Sequence, residues 1–529
     1  PVGSEKLDFD LMLAGREPGE YALEARVLDG AETLHAQRRD FAIVAETAAR
    51  SGRIAVVVPE AEGELAAWPV TFGVPFPWGA LDSPDHVRLL DAEGREVPIQ
   101  VQVTGRWSRQ GSIRWLLVDF VAPARRTAQS FTLVYGPDVR RAPVQAALKV
   151  EEGENAVTVD TGALRFSVPR SQTPGLGDVF LRGRRVMAAD RSAGPYMVDE
   201  AGKRYLGSLD KNVEVAVESS GPVKACVRVS GWHAAETGER LGQFILRFYA
   251  FAGLPYVRAY HTFVITEDSD KVRYRDIGWT LPFAGDCCFF GTPVIVPGWL
   301  RGKDANAYLI QLDDQRCKVY AGGAMVDECA RAEGWASFGA SGSMLTLAVK
   351  DFWQQFPKEI ELTPRSATVH FWPAHGEEPI RRGDQLSARN NYQEWFAHEG
   401  KVLNFKVPDD ALAFVKLDSE QYNYPGAKTA NAIGLAKTHE MLLHFHSEDW
   451  ERAKARTTNM VFQSNPTAAC DPAWVCESGV FGRMEPRRPG RFESIERALD
   501  ETIAQIYRLR EADRDYGMFN WGDAHHNWL

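Results

Sequence analysis

The sequence predicts a multidomain, mainly β protein that turns α-helical toward its end: a small β-barrel, a large antiparallel β-sandwich, then a helical domain. Three observations predict it. Apolar and polar residues alternate with period two through most of positions 1–405. Turn residues separate these runs at short, regular intervals, the spacing of a two-sheet sandwich. Past position 406 the apolar period becomes helical. At 529 residues the chain is also too long for one core.

Residues 1–50 contain "EYALEARVLDG" and "RRDFAIVAE", two strands around a turn. Two strands cannot close a sandwich, so this segment reads as the end of an immunoglobulin-like module or an appended β-unit. Residues 51–145 open with "RIAVVVPE" and continue through "VPIQVQVTGRW", "GSIRWLLVDFVAP" and "QSFTLVYG", the strands of a small barrel. Pro69, Pro75 and Pro77 place "WPVTFGVPFPWGAL" at an edge or in a loop, because proline offers no N–H to a ladder. Residues 146–405 carry the sandwich strands, among them "VKACVRVSGWHA", "PYVRAYHTFVIT", "SMLTLAVKDFW" and "SATVHFWPA". In residues 406–529, "TANAIGLAKTHEMLLHFHSEDWERAKARTT" puts Leu435, His439, Leu442 and His446 on one helical stripe. "FESIERALDETIAQIYRLREADR" does the same with Ile495, Leu499, Ile503 and Ile506. Such helices are expected to pack on further helices or on the sandwich.

Charge and composition narrow the function. A net charge of −10 argues against a nucleic-acid binder. No apolar run reaches membrane-spanning length. The start, "PVGSEKLDFD", lacks the basic and apolar regions of a signal peptide and reads as a chain entered after a leader. That points to a secreted or periplasmic protein. None of the seven cysteines forms a C-x-x-C pair, which disfavours a zinc ribbon. Cys317 with Cys329, and Cys470 with Cys476, are close enough to be bridged in an exported chain. Fifteen tryptophans offer flat faces to sugar rings, though they also fill β cores.

Three clusters carry candidate chemistry. In the first, His439 is either a core histidine or a general base held neutral by partial burial. Lys437, Glu440 and His444 share another stripe of the expected helix, and Tyr422 and Tyr424 precede it as candidate substrate-binding group and proton donor. "HEMLLH" is not a zinc-protease motif, since position 443 is Leu. In the second, Asn520, Trp521, Asp523, His525 and His526 crowd the tail "NWGDAHHNWL". They form either a sugar-binding helix start or a capped helix with a buried Trp. A divalent cation such as calcium stays open there, with no ligand set identified. In the third, "RAYHTFVIT", His261 shares a strand face with Ala259 and Phe263 and points into a core or a cleft. Arg275 in "RYRDIGW" is a candidate fork for a carboxylate.

The stretches "PVTFGVPFPWGAL", "GSIRWLLVDF", "FAGLPYVRAYHTFVIT", "QQFPKEIELTP", "AIGLAKTHEMLL" and "YGMFNWGDAHHNW" carry a resemblance that spans nearly the whole chain. It is similar to three-domain polysaccharide lyases, the exo-rhamnogalacturonan and ulvan lyase type. That resemblance implies a RIFT barrel, a β-sandwich and an α/α-barrel, the last one partial or reduced here. It also implies an acidic polysaccharide as substrate, cleaved by β-elimination. Such chemistry needs a base, a proton donor and groups that neutralise the uronate carboxylate. Two alternatives remain. A glycoside hydrolase needs two carboxylates across one cleft, and a carbohydrate-binding protein needs no catalytic groups.

Overall fold

The computed structural model describes residues 19–43, 49–144, 148–171, 173–269, 271–294, 296–300, 302, 305–340, 342–376, 397–399, 402–403, 405, 432–447, 452–512, 514 and 516–519. Strands Gly19–Asp29 and Glu32–Ile43 form an antiparallel ribbon. Gly30, with φ +60, turns the chain between them.

The barrel consists of two sheets. One pairs Gly52–Val58, Gln129–Tyr135, Val87–Leu90 and Glu96–Val97, and takes the short strand Ala469–Cys470 from far along the chain. The other orders Leu65–Pro75, Ile113–Ala124 and Ile99–Arg106. Ile54, Val56 and Val58 alternate inward and meet Phe72, Phe120 and Leu133 in one core. Leu65–Pro75 lies at the edge of its sheet, where Pro69 and Pro75 cost no ladder bond to a second neighbour.

The sandwich has two antiparallel layers. The first runs Gly194–Asp199, Tyr274–Leu281, Ser366–Trp372, Lys358–Thr363, Ala307–Asp313, Arg316–Ala321, Ala324–Cys329. The second runs Glu214–Ser220, Lys224–Ala234, Arg240–Phe251, Tyr256–Val264, Ala436–His446, Ser343–Val349, Trp335–Ala340, Cys287–Phe290. Side chains such as Phe244, Phe248, Trp279, Val369 and Phe371 fill the space between. Cys317 and Cys329 face each other across two strands and form a disulfide, with Cα atoms 4.9 Å apart. Cys470 and Cys476 are free thiols, so the second expected bridge does not form.

The helical reading of positions 432–446 is corrected. Ala436–His446 is a strand, inserted between Tyr256–Val264 and Ser343–Val349. Met441, Leu443 and Phe445 turn into the sandwich, while Leu442 packs on the other face against Ala455, Val461 and Phe462. A strand covered on both faces has a nearly continuous apolar run, and such a run mimics a helical stripe.

Among the described residues three helices follow: α1 Arg452–Ser464, α2 Pro472–Glu477 and α3 Glu493–Ala512. Asp471 caps α2 by accepting from the Ala473 N–H at 2.8 Å, with Pro472 in the first turn. The stripe expected on α3 is present. It is uncovered among the described residues, however, with Ile495, Leu499, Ile503 and Ile506 all more than half exposed.

A buried ion pair joins barrel to sandwich. Lys224 Nζ lies 2.6 Å from Asp119 Oδ1, and Thr71 also donates to that oxygen. Gln100 of the barrel accepts from the Lys224 N–H at 2.8 Å. Removing one partner strands the other charge in a dry interface. Asp119→Ala is therefore expected to cost about 3–5 kcal/mol of stability, measured by denaturant unfolding. A loss under about 1 kcal/mol would mean that the pair behaves as a solvated one.

Candidate functional site

The outer face of the first layer, turned away from the sandwich core, carries a row of polar side chains. Tyr196, Gly278, His370 and Glu359 are directly opposed across four neighbouring strands. Opposed residues share a face, and Asp276 and Glu361 join it from two positions along their own strands. The alternation that turns Ile360, Leu362, Val369 and Phe371 into the core turns Glu359, Glu361 and His370 outward. His375 follows in the turn after Ser366–Trp372.

Gly278 gives the row its room. A Cβ at this position would lie 2.5 Å from Tyr196 Oη and 2.8 Å from the Val369 carbonyl oxygen. The tyrosine ring can therefore lie over the strand only where there is no side chain.

The groups are tied into one network. His370 Nδ1 lies 3.0 and 3.1 Å from the two Asp276 oxygens. Tyr196 Oη donates to Asp276 Oδ1 at 3.2 Å and lies 2.9 Å from His370 Nδ1. His370 Nε2 is 3.4 Å from Glu361 Oε2 and 3.6 Å from Glu359 Oε1. His375 Nδ1 meets Glu359 Oε1 at 2.8 Å, and Asn306 donates to Glu361 Oε1 at 3.2 Å.

Burial sets the electrostatics. Glu359 is 0% exposed, His370 6% and Asp276 9%. Burial disfavours a charged imidazole at His370, but the Asp276 and Glu359 carboxylates outweigh it and hold its pKa well above the ordinary value. Burial raises the pKa of Glu359, against the pull of His370. It acts upward on Glu361 as well, but the hydrogen bond and charge of His370 win and lower it. The hydrogen bond to Glu359 raises His375. Burial and the Asp276 charge push Tyr196 well up.

The network reaches the surface at His375, whose side chain is 40% exposed. Its ring stacks on Tyr308 at 4.6 Å, and Tyr308 stacks on Tyr320 at 4.7 Å. Flat rings beside hydrogen-bonding groups suit a sugar ring. One ligand atom from each of Glu359, Glu361 and His370 lies within 4.8 Å of the others, so these three could hold a metal ion.

The residues expected from sequence fall elsewhere. His439 and His261 are directly opposed on neighbouring strands of the second layer, 2% and 0% exposed. Both rings lie in the closed apolar layer between the sheets, and His439 stacks on Phe371 at 4.4 Å. Burial, then the charges of Lys358 and Lys437, hold His439 well below the ordinary histidine value. For His261 the question of core or cleft resolves to core. Lys437 is half-buried two positions before His439 on the same strand. Glu440 is on the other face with Arg258, whose Nε is 3.3 Å away. Arg275 is exposed, adjacent in sequence to Asp276. Tyr422, Tyr424, Asn520, Trp521, Asp523, His525 and His526 lie outside the described residues.

Sequence reasoning passed over Asp276, Glu359, Glu361, His370 and His375. A signal existed. In "KEIEL" and "TVHFW" Glu359, Glu361 and His370 put ionisable groups on one face of period-two strands, which a merely solvated face does not require.

Gly278→Ala is expected to displace Tyr196 and cost about 1–3 kcal/mol. Denaturant unfolding checks this, and an unchanged midpoint would show that the ring is not seated over position 278.

Comparison with known proteins agrees with the architecture. Residues 59–135 match the PcRGLX-like N-terminal RIFT barrel domain, and residues 148–284 match the PcRGLX-like protein central β-sandwich domain. The chain is 23% identical over 525 residues to the uncharacterized protein YetA of Bacillus subtilis (strain 168). That alignment covers 87% of this chain and 57% of YetA, so the chain spans little more than half of that relative. Two solved structures from Enterococcus faecalis align at a TM-score of 0.45. One, a protein in the glycosyl hydrolase family 38, is 10% identical over 80% of this chain and 48% of its own. The other, an α-mannosidase from strain V583, is 11% identical over 79% of this chain and 46% of its own. Likeness at that level carries no functional argument. These two matches, barrel before sandwich, follow the order of the exo-rhamnogalacturonan lyase type of architecture.

Proposed function

We propose that this chain is part of a carbohydrate-active enzyme, a lyase that cleaves a uronic-acid-containing polysaccharide by β-elimination. The observation that carries the reading is the pairing of PcRGLX-like domains with an ionisable network that opens onto stacked aromatic rings. Tyr308 is stacked between His375 and Tyr320, so the outer face of Tyr320 is the one offered to a sugar ring. His375, whose Nδ1 is held by Glu359, offers its Nε2–H to the uronate carboxylate beside it. Neutralising that carboxylate makes the neighbouring C–H removable.

Tyr424 as proton donor, and Tyr422, Asn520, Trp521, Asp523, His525 and His526 as sugar contacts, remain part of this proposal. His439 and His261 fit better as interior supports of the sandwich, with Lys437 half-buried beside them. The Cys317–Cys329 disulfide favours an oxidising compartment, hence a secreted or periplasmic protein.

The test is ultraviolet detection of unsaturated product on rhamnogalacturonan, ulvan and glucuronate-rich gums. Product is expected on one of them. His375→Ala is expected to lower kcat/KM by about 100-fold or more, and Tyr308→Ala to act mainly on KM. New reducing ends without ultraviolet absorbance would replace the lyase reading with a hydrolase. Full activity in His375→Ala would move the site elsewhere.

A further inference from the structure

We infer that Glu359, Glu361 and His370 form a binding site for one divalent first-row transition-metal ion, with Zn2+ as the reference ion. This goes beyond the lyase reading and does not depend on it.

The spacing fits an ion. Ligands about 2.1 Å from a tetrahedral centre are about 3.4 Å apart. His370 Nε2 stands 3.4 Å from Glu361 Oε2 and 3.6 Å from Glu359 Oε1. Those distances are long for hydrogen bonds and right for neighbours around a metal.

A second observation points the same way. Glu359 is fully buried, yet its Oε2 has no hydrogen-bond partner among the described residues. A buried carboxylate oxygen without a partner is costly. A cation chelated by both oxygens of this carboxylate removes the cost, since Oε1 stands beside His370 Nε2 and the imidazole of His375 leaves Oε2 bare.

The surroundings are those of a ligand histidine. His370 Nδ1 is engaged by Asp276, which also accepts from Tyr196. That arrangement fixes the ring and leaves Nε2 as the coordinating atom, as in carboxylate–histidine–metal triads. The ligands stand on two adjacent strands, which hold them in place more rigidly than loops. One imidazole with two carboxylates suits zinc or manganese better than calcium, which takes oxygen ligands throughout.

The experiment is calorimetric titration of chelator-treated protein with Zn2+ alone, without substrate. One equivalent is expected per chain, with a rise in Tm. His370→Ala and Glu361→Gln are expected to abolish that equivalent. Asp276→Asn, acting through the orientation of His370, is expected to weaken binding by about 10–100-fold. Circular dichroism checks that each variant is folded, and Glu361→Gln, at the more exposed ligand, serves if His370→Ala is not. Absence of binding overturns the proposal. So does an equivalent that survives in a folded ligand variant, or one that Ca2+ displaces at equal concentration. Because no polysaccharide is present, failure of the lyase reading leaves this result untouched.

Discussion

The pairing of Ala436–His446 with two strands at once holds the second layer together. On one side it meets Tyr256–Val264 and on the other Ser343–Val349. Without it, both neighbours would be open edges in the middle of a layer, and open edges with unpaired backbone groups are costly when buried. Its Leu442 also closes the contact between sandwich, α1 and Trp68 of the barrel. Strands far apart in sequence thus depend on one late segment, and the first layer gains its backing from the same source.

That backing reaches the polar network. Phe371 and His370 are neighbours on one strand and point to opposite faces. Phe371 is stacked on His439 from inside, with the rings 5° from parallel. The strand that carries His370 is therefore clamped from behind, while Asp276 fixes the ring from in front. Both His439 nitrogens and both His261 nitrogens lack partners among the described residues. Burial keeps those rings neutral, so the expense is that of an unmade hydrogen bond rather than of a buried charge. A plain aromatic residue at either position would avoid even that cost, and the structure supplies no reason for choosing histidine.

Much of the architecture could be read from the chain. The period-two strands, the proline-marked edge at Pro69 and Pro75, the α3 stripe and the Cys317–Cys329 proximity are all local properties, and local properties survive in sequence. The strand Ala436–His446 was hidden because its partners are decided by tertiary contacts. Once both faces are covered, alternation disappears from the text. The site was legible only in fragments. Glu359, Glu361 and His370 stand on adjacent strands and within a dozen positions, but Asp276 and Tyr196 arrive from 94 and 174 positions before His370 through strand register. Histidines on an apolar stripe drew attention to His439, and burial, which sequence does not print, separates its surroundings from those of His370.

Pro69 and Pro75 also shape how molecules of this protein meet one another. An exposed edge strand is a template on which a second copy can add its own strand, and a chain of such additions is a fibre. Two positions of Leu65–Pro75 carry no N–H, and both rings are buried, with the Trp474 indole N–H donating to the Pro75 carbonyl oxygen at 2.7 Å. A crowded suspension of partly opened molecules therefore has no continuous ladder to extend at this edge. The guard is covalent, so neither salt nor acidity removes it, unlike the lysines that protect many other edges.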